Sequence, residues 1–210
     1  MLNKSVLGVI FFLVAHITLA ADHKGQVRGL YVGMPVSELA GNKKYFFSCT
    51  HDGKLVKIND YNNCQKGNQG AFQINVAYND NFSEWGEVND KWKGTKLAGH
   101  PVSINLSINN EGNIERIDVK TDPNARMYMK KKSFLLGDRI KTQFGENNWS
   151  CLNGEKNNKV EAAGGVMLDE LCRKDFQGFR IVTHVQLFYR LEDGEKQYIN
   201  STKFSILATS

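Results

Sequence analysis

Apolar residues recur at every second position over 102–108, at Val102, Ile104, Leu106 and Ile108, with Ser103, Asn105 and Ser107 between them. Strict alternation marks a strand with one buried face. The chain then turns through Asn109, Asn110, Glu111, Gly112 and Asn113 and returns with Ile114, Ile117 and Val119. Residues 102–119 are therefore predicted to form a β-hairpin with one apolar and one polar face. Phe72, Ile74, Val76 and Tyr78 alternate with Gln73, Asn75 and Ala77 in the same way, and 45–47 and 55–58 have strand composition. Later strands are expected near 149–152, 179–191 and 197–207, the last two joined by a turn at Glu192, Asp193, Gly194 and Glu195. In the first of that pair Val185, Leu187 and Tyr189 alternate with Gln186, Phe188 and Arg190, which predicts a strand covered on both sides.

Helix signals are fewer. Pro35 stands at a first helical position and Gly41 just past the end of Val36 to Ala40, the start and stop signals of a short helix. Phe134, Leu135, Ile140 and Phe144 are spaced for the buried face of a second helix over 133–143, stopped by Gly145. Asp122 and Pro123 open a connector or helix, 161–165 is expected as loop, and 166–171 as a short helix.

Two stretches repeat one another. Cys64-Gln65-Lys66-Gly67-Asn68-Gln69-Gly70 matches Cys172-Arg173-Lys174-Asp175-Phe176-Gln177-Gly178 at Cys, Lys, Gln and Gly, and Ser48-Cys49 precedes the first as Ser150-Cys151 precedes the second. Such self-similarity decides architecture, and it predicts two related units. The first twenty residues carry Lys4, an apolar run from Val6 to Ala15 and a small-residue end at Ala20, the pattern of a signal peptide. In an exported chain an even cysteine count implies disulfides. Of the three pairings possible on paper, the duplication selects Cys49 with Cys64 and Cys151 with Cys172. Each such bridge is expected to stabilise by about 3 kcal/mol. Zinc is the rival reading, but the chain has no Cys-x-x-Cys and no His near either pair at ligand spacing. No metal or cofactor is expected.

Without residues 1–20 the chain keeps 26 of its 27 Lys and Arg against 22 Asp and Glu. That modest excess does not indicate nucleic acid, where clustered basic residues would be expected. The dense run Lys130-Lys131-Lys132 reads as a solvated helix face. His23, His51, His100 and His184 sit in no nucleophile motif, and hydrolase, phosphate-loop and calcium-loop patterns are absent. His184 reads as a core or face histidine, and the adjacent acids Asp169-Glu170 and Glu192-Asp193 as solvent-exposed. A non-catalytic protein is expected. Binding has a better candidate in the segment after Tyr78, which is polar and acidic yet carries Phe82, Glu84, Trp85, Glu87 and nearby Trp92. Tryptophan is enriched among residues that dominate interface energy; alternatively, Phe82 and Trp85 fold back onto the first unit.

Gly33-Met34-Pro35-Val36-Ser37-Glu38-Leu39 resembles the Gly-Met helix start of the β-lactamase-inhibitor-protein-like domains, a group that includes the small lipoprotein of the outer-membrane barrel-assembly machine. Two tandem helix-plus-sheet units with one local disulfide each are similar to the secreted members of that group. The second unit lacks the Gly-Met start, and no inhibitor contact residue maps onto this chain. The resemblance implies a protein-binding scaffold. The expected fold class is α+β, two tandem related units of short helices on an antiparallel sheet, each with one local disulfide, over 21–121 and 122–210 after a signal peptide at 1–20. The expected function is a periplasmic or secreted non-catalytic module that binds another extracytoplasmic protein, as an inhibitor of an enzyme or toxin, without stable membrane insertion after signal cleavage. An envelope assembly accessory and an unrecognised hydrolase are the alternatives.

Overall fold

The computed structural model describes residues 25–78, 95–130, 132–154 and 159–209. The expected signal peptide lies outside them. The first half contributes β1 (Tyr45–Cys49), β2 (Leu55–Val56), β3 (Phe72–Tyr78), β4 (Lys96–Leu97), β5 (His100–Ile108) and β6 (Ile114–Thr121). Helices α1 (Met127–Lys130) and α2 (Leu135–Gln143) follow. The second half adds β7 (Ser150–Asn153), β8 (Val160–Glu161), β9 (Leu168–Phe176), β10 (Phe179–Glu192) and β11 (Glu195–Ala208). All belong to one 11-stranded antiparallel sheet in the order β2-β1-β3-β5-β6-β11-β10-β9-β7, with β4 beside β5 and β8 beside β10. Two meanders, β1-β3-β5-β6 and β7-β9-β10-β11, meet at a seam where β6 pairs β11 from Lys120↔Lys203 to Arg116↔Leu207.

This overturns the expected α+β fold class. Strand makes up 51% and helix 13% of the structure, so the architecture is a single large antiparallel sheet and not two helix-plus-sheet units. The start and stop signals around Pro35 and Gly41 enclose only one 3-10 turn, Val36–Leu39. Residues 168–171, expected within a helix, open strand β9, which pairs with β10 from Leu168↔Leu187 onward. Residues 58–63, partly assigned to a strand, form a second 3-10 segment. The 102–119 hairpin is present as β5 and β6, and both disulfides, Cys49–Cys64 and Cys151–Cys172, are formed.

Register explains where the core lies. One row of directly paired residues runs Cys172, Thr183, Phe204, Val119, Ile104, Val76 and Phe47 from β9 to β1. Another runs Ile181, Ile206, Ile117, Leu106, Ile74 and Cys49. Because side chains alternate along each strand, these rows share one face of the sheet. The 3-10 segments and α2 pack there through Val36, Leu39, Ile58, Leu136 and Ile140, making one core across both halves. Gly137 lets α2 come close: a Cβ built on it would lie 2.3 Å from Val185 Cγ2. Lys174 Nζ reaches the end of the helix and donates to the carbonyls of Phe144 and Gly145 at 2.7 and 2.8 Å, satisfying groups that a helix terminus leaves open.

Thr183 is a local misfit in this core. It is fully buried, and its Oγ1 has no hydrogen-bond partner. A buried hydroxyl without a partner carries its desolvation cost uncompensated. Thr183→Val should therefore raise the denaturation midpoint, with a gain of about 1 kcal/mol. A loss of stability in urea titration would show that the hydroxyl is satisfied.

Candidate functional site

The second face of the sheet is the candidate site. All the buried helical side chains belong to the core on the first face, and among the described residues no helix packs on the second. A row of direct partners crosses it from edge to edge: Ser150, Arg173, Val182, Ser205 and Asp118 in the second half and seam, then Asn105, Asn75, Ser48 and Leu55. This row is mostly polar, whereas its neighbours on the opposite face are apolar. The strand β10, expected to be covered on both sides, is covered chiefly on one. Its Phe188 is nonetheless buried, with the Arg190 guanidinium 5.9 Å above the ring.

Polar side chains on this face are knitted together. Asn105 Nδ2 donates to Thr50 Oγ1 at 2.5 Å, and Gln73 Nε2 to Ser107 Oγ at 3.0 Å. Arg116 grips Asp118 with Nε and Nη2 at 2.7 and 2.9 Å, and Ser205 Oγ donates to the same carboxylate. Asp175 accepts from Arg180 Nε at 2.5 Å and Arg173 Nη2 at 2.7 Å. These two guanidinium groups, Arg180 first, hold the Asp175 carboxyl below the usual carboxylate range.

Large apolar side chains also stand on this face, at its two edges. Phe46 is 53% and Leu55 78% exposed at the β1–β2 edge; Leu152 is 70% and Leu171 42% exposed at the β7–β9 edge. Alternation places them there, because Phe47, Val56 and Cys172 face the core. Below Phe46 and Leu55 a cavity of about 520 Å³ opens beside Leu39, Phe47 and Ile58.

His184 and Asp169, read separately from the sequence, meet on this face: Nε2 lies 2.8 Å from Oδ1. Asp169 also accepts from Gln186 Nε2 at 3.3 Å. The neighbouring Glu170 points to the opposite face and pairs with Lys141 of α2. Strand alternation sends the two adjacent acids to different partners, where the sequence reading expected both to be solvent-exposed. A histidine oriented by a carboxylate can act as a base, but among the described residues no hydroxyl or thiol hydrogen-bonds to it. Cys151, Glu170 and Cys172 bring ligand atoms within 4.8 Å of one another. Both sulfurs are consumed in the disulfide, so no thiolate remains there to bind a metal. His100, on the core side, has its pKa lowered by burial and by Arg139.

Phe82, Glu84, Trp85, Glu87 and Trp92 lie outside the described residues. The exposed apolar edges were missed in the sequence because Leu171 was expected to end a short helix and Leu152 stands at an ordinary strand position; only register puts them side by side. No described helix is long and apolar enough to cross a membrane. No protein family, curated protein or solved structure matches this chain.

Proposed function

We infer that this chain is an exported, non-catalytic protein-binding module that docks its partner on the open face of the sheet. One observation carries the reading. Of the seven exposed large apolar side chains among the described residues, Phe46, Leu55, Leu152 and Leu171 stand on this face. Exposed apolar clusters rimmed by polar groups mark interaction surfaces, and a wide sheet with its polar side chains already bonded laterally offers a rigid platform for them. The disulfides and the expected signal peptide support export to an oxidising compartment. The resemblance of residues 33–39 to the β-lactamase-inhibitor-protein-like domains points to the same class, and inhibition of a secreted enzyme or toxin is the use that best fits it.

Leu152→Asp and Phe46→Asp test the reading at opposite edges. Both side chains are already exposed, so the melting temperature should change little. Affinity capture from an extracytoplasmic extract, read by mass spectrometry, should lose its specific partner with at least one variant, by about tenfold or more, because an anchor at an interface contributes about 2 kcal/mol. Capture of the same partner by both variants at wild-type level would show that the open face is not the docking surface.

A further inference from the structure

The centre of the open face carries an unbalanced charge. The acids along its middle rows, Asp118, Asp169 and Asp175, are each held: Asp118 by Arg116 and Ser205, Asp169 by His184 and Gln186, Asp175 by Arg173 and Arg180; Glu192 and Glu195, which lie on the same face, oppose each other at the far end of the β10–β11 hairpin, Glu192 beside Arg190. The arginines are thereby committed too. Lys120 and Lys203 are not. They are exposed, stand directly opposite each other across the seam of β6 and β11, and neither ammonium group has an ion pair or hydrogen bond among the described residues. The acids two residues from Lys120 are engaged elsewhere: Asp118 by Arg116 and Ser205, and Asp122, just past β6, by the Asn124 N–H.

Like charges directly opposed across strands destabilise a sheet. A surface that keeps two such lysines unneutralised at its middle is complementary to negative charge supplied from outside. The guanidinium forks, which suit phosphate, are occupied; the free groups are ammoniums. In the same row, two positions from Lys203, Leu171 begins the apolar edge that continues to Leu152. Point cations beside exposed leucines match the carboxylates and apolar side chains of a protein surface.

We propose that Lys120 and Lys203 select an acidic protein partner, seating its Asp or Glu carboxylates between their ammonium groups at the seam. The proposal rests on the open face being the docking surface and adds the chemistry of what docks there.

The test uses the oxidised protein and a short polyglutamate peptide, titrated by NMR at low and high salt. The expected result is salt-sensitive binding that shifts the Lys120 and Lys203 resonances. Lys120→Glu and Lys203→Glu together should weaken it by about tenfold or more, while Lys43→Glu leaves it unchanged. Lys120→Glu alone places an acid opposite Lys203 and should raise the melting temperature by about 1–3 °C while weakening the peptide. Any of three results overturns the proposal: no polyglutamate binding, binding indifferent to the seam variants, or binding lost instead with Lys130→Glu and Lys132→Glu. Anionic phospholipid vesicles bound through the seam in place of the peptide overturn it as well. If polyglutamate fails while Leu152→Asp still abolishes partner capture, the acidic-partner proposal falls and the docking face stands. If polyglutamate binds at the seam while capture ignores both edge variants, the docking reading falls and takes the proposal with it.

Discussion

Phe204→Ala should cost about 3–5 kcal/mol, the range for emptying a fully buried aromatic site, and should lower one transition shared by both halves of the chain. Phe204 is fully buried on β11. Its direct neighbours are Thr183 of β10 on one side and Val119 of β6 on the other, so the cavity opens on the seam itself. The core cluster runs unbroken from Val27 to Ile206. Loss at the seam is then felt as far as Ile74 of β3 and Ile181 of β10. Hydrogen exchange at those two amides in denaturant is the measurement. Equal loss of protection supports a single cooperative unit. Protection retained at Ile74 while Ile181 opens would show that the halves fold separately despite the continuous sheet.

Legibility followed the local signal. The 102–119 hairpin was readable because Val102, Ile104, Leu106 and Ile108 of β5 are apolar, Ser103, Asn105 and Ser107 between them are polar, and turn residues follow before Ile114. Strand β9 was not. Leu168, Glu170, Cys172, Lys174 and Phe176 alternate with Asp169, Leu171, Arg173 and Asp175, so both faces mix charge and apolar surface and no period of two emerges. What makes it a strand is tertiary: pairing with β10 along nine residues, the bridge to Cys151, and ion pairs that absorb Glu170 and Asp175. The helical content was overestimated for the converse reason. Pro35 and Gly41 are real punctuation, but only four residues between them form a turn, too few to bury more than Val36 and Leu39.

The seam had no local signature at all. Pairing of β6 with β11 joins residues more than eighty positions apart, such as Asp118 with Ser205, and the duplicated cysteine words say nothing of how two units would meet. The open face shared that fate. Its polar positions were visible strand by strand, in Ser103, Asn105 and Ser107 for example, but their union into rows across the sheet depends on register. The Lys120–Lys203 pair exists only once the seam is formed.

Gly137→Ala decides whether α2 sits on β10 as closely as described, because two effects of known sign oppose each other there. Gly137 lies inside α2, where alanine is favoured over glycine by about 0.8–1 kcal/mol of helix propensity. Against this, the new methyl would stand 2.3 Å from Val185 Cγ2, with Val185 Cβ and Cγ1 also at 3.6 and 3.7 Å. Neither Val185 nor the sheet beneath it can yield freely, since Val185 is buried and β10 is paired on both sides. Overpacking a tight core costs about 1–3 kcal/mol, so the expected net is destabilisation, measured as a lowered urea midpoint. Val185→Ala removes the colliding methyl groups; in that background Gly137→Ala should become neutral or stabilising, giving a coupling of about 1 kcal/mol or more. If Gly137→Ala stabilises the unaltered protein, helix propensity has won, and the close contact that fixes α2 on the core face is not there.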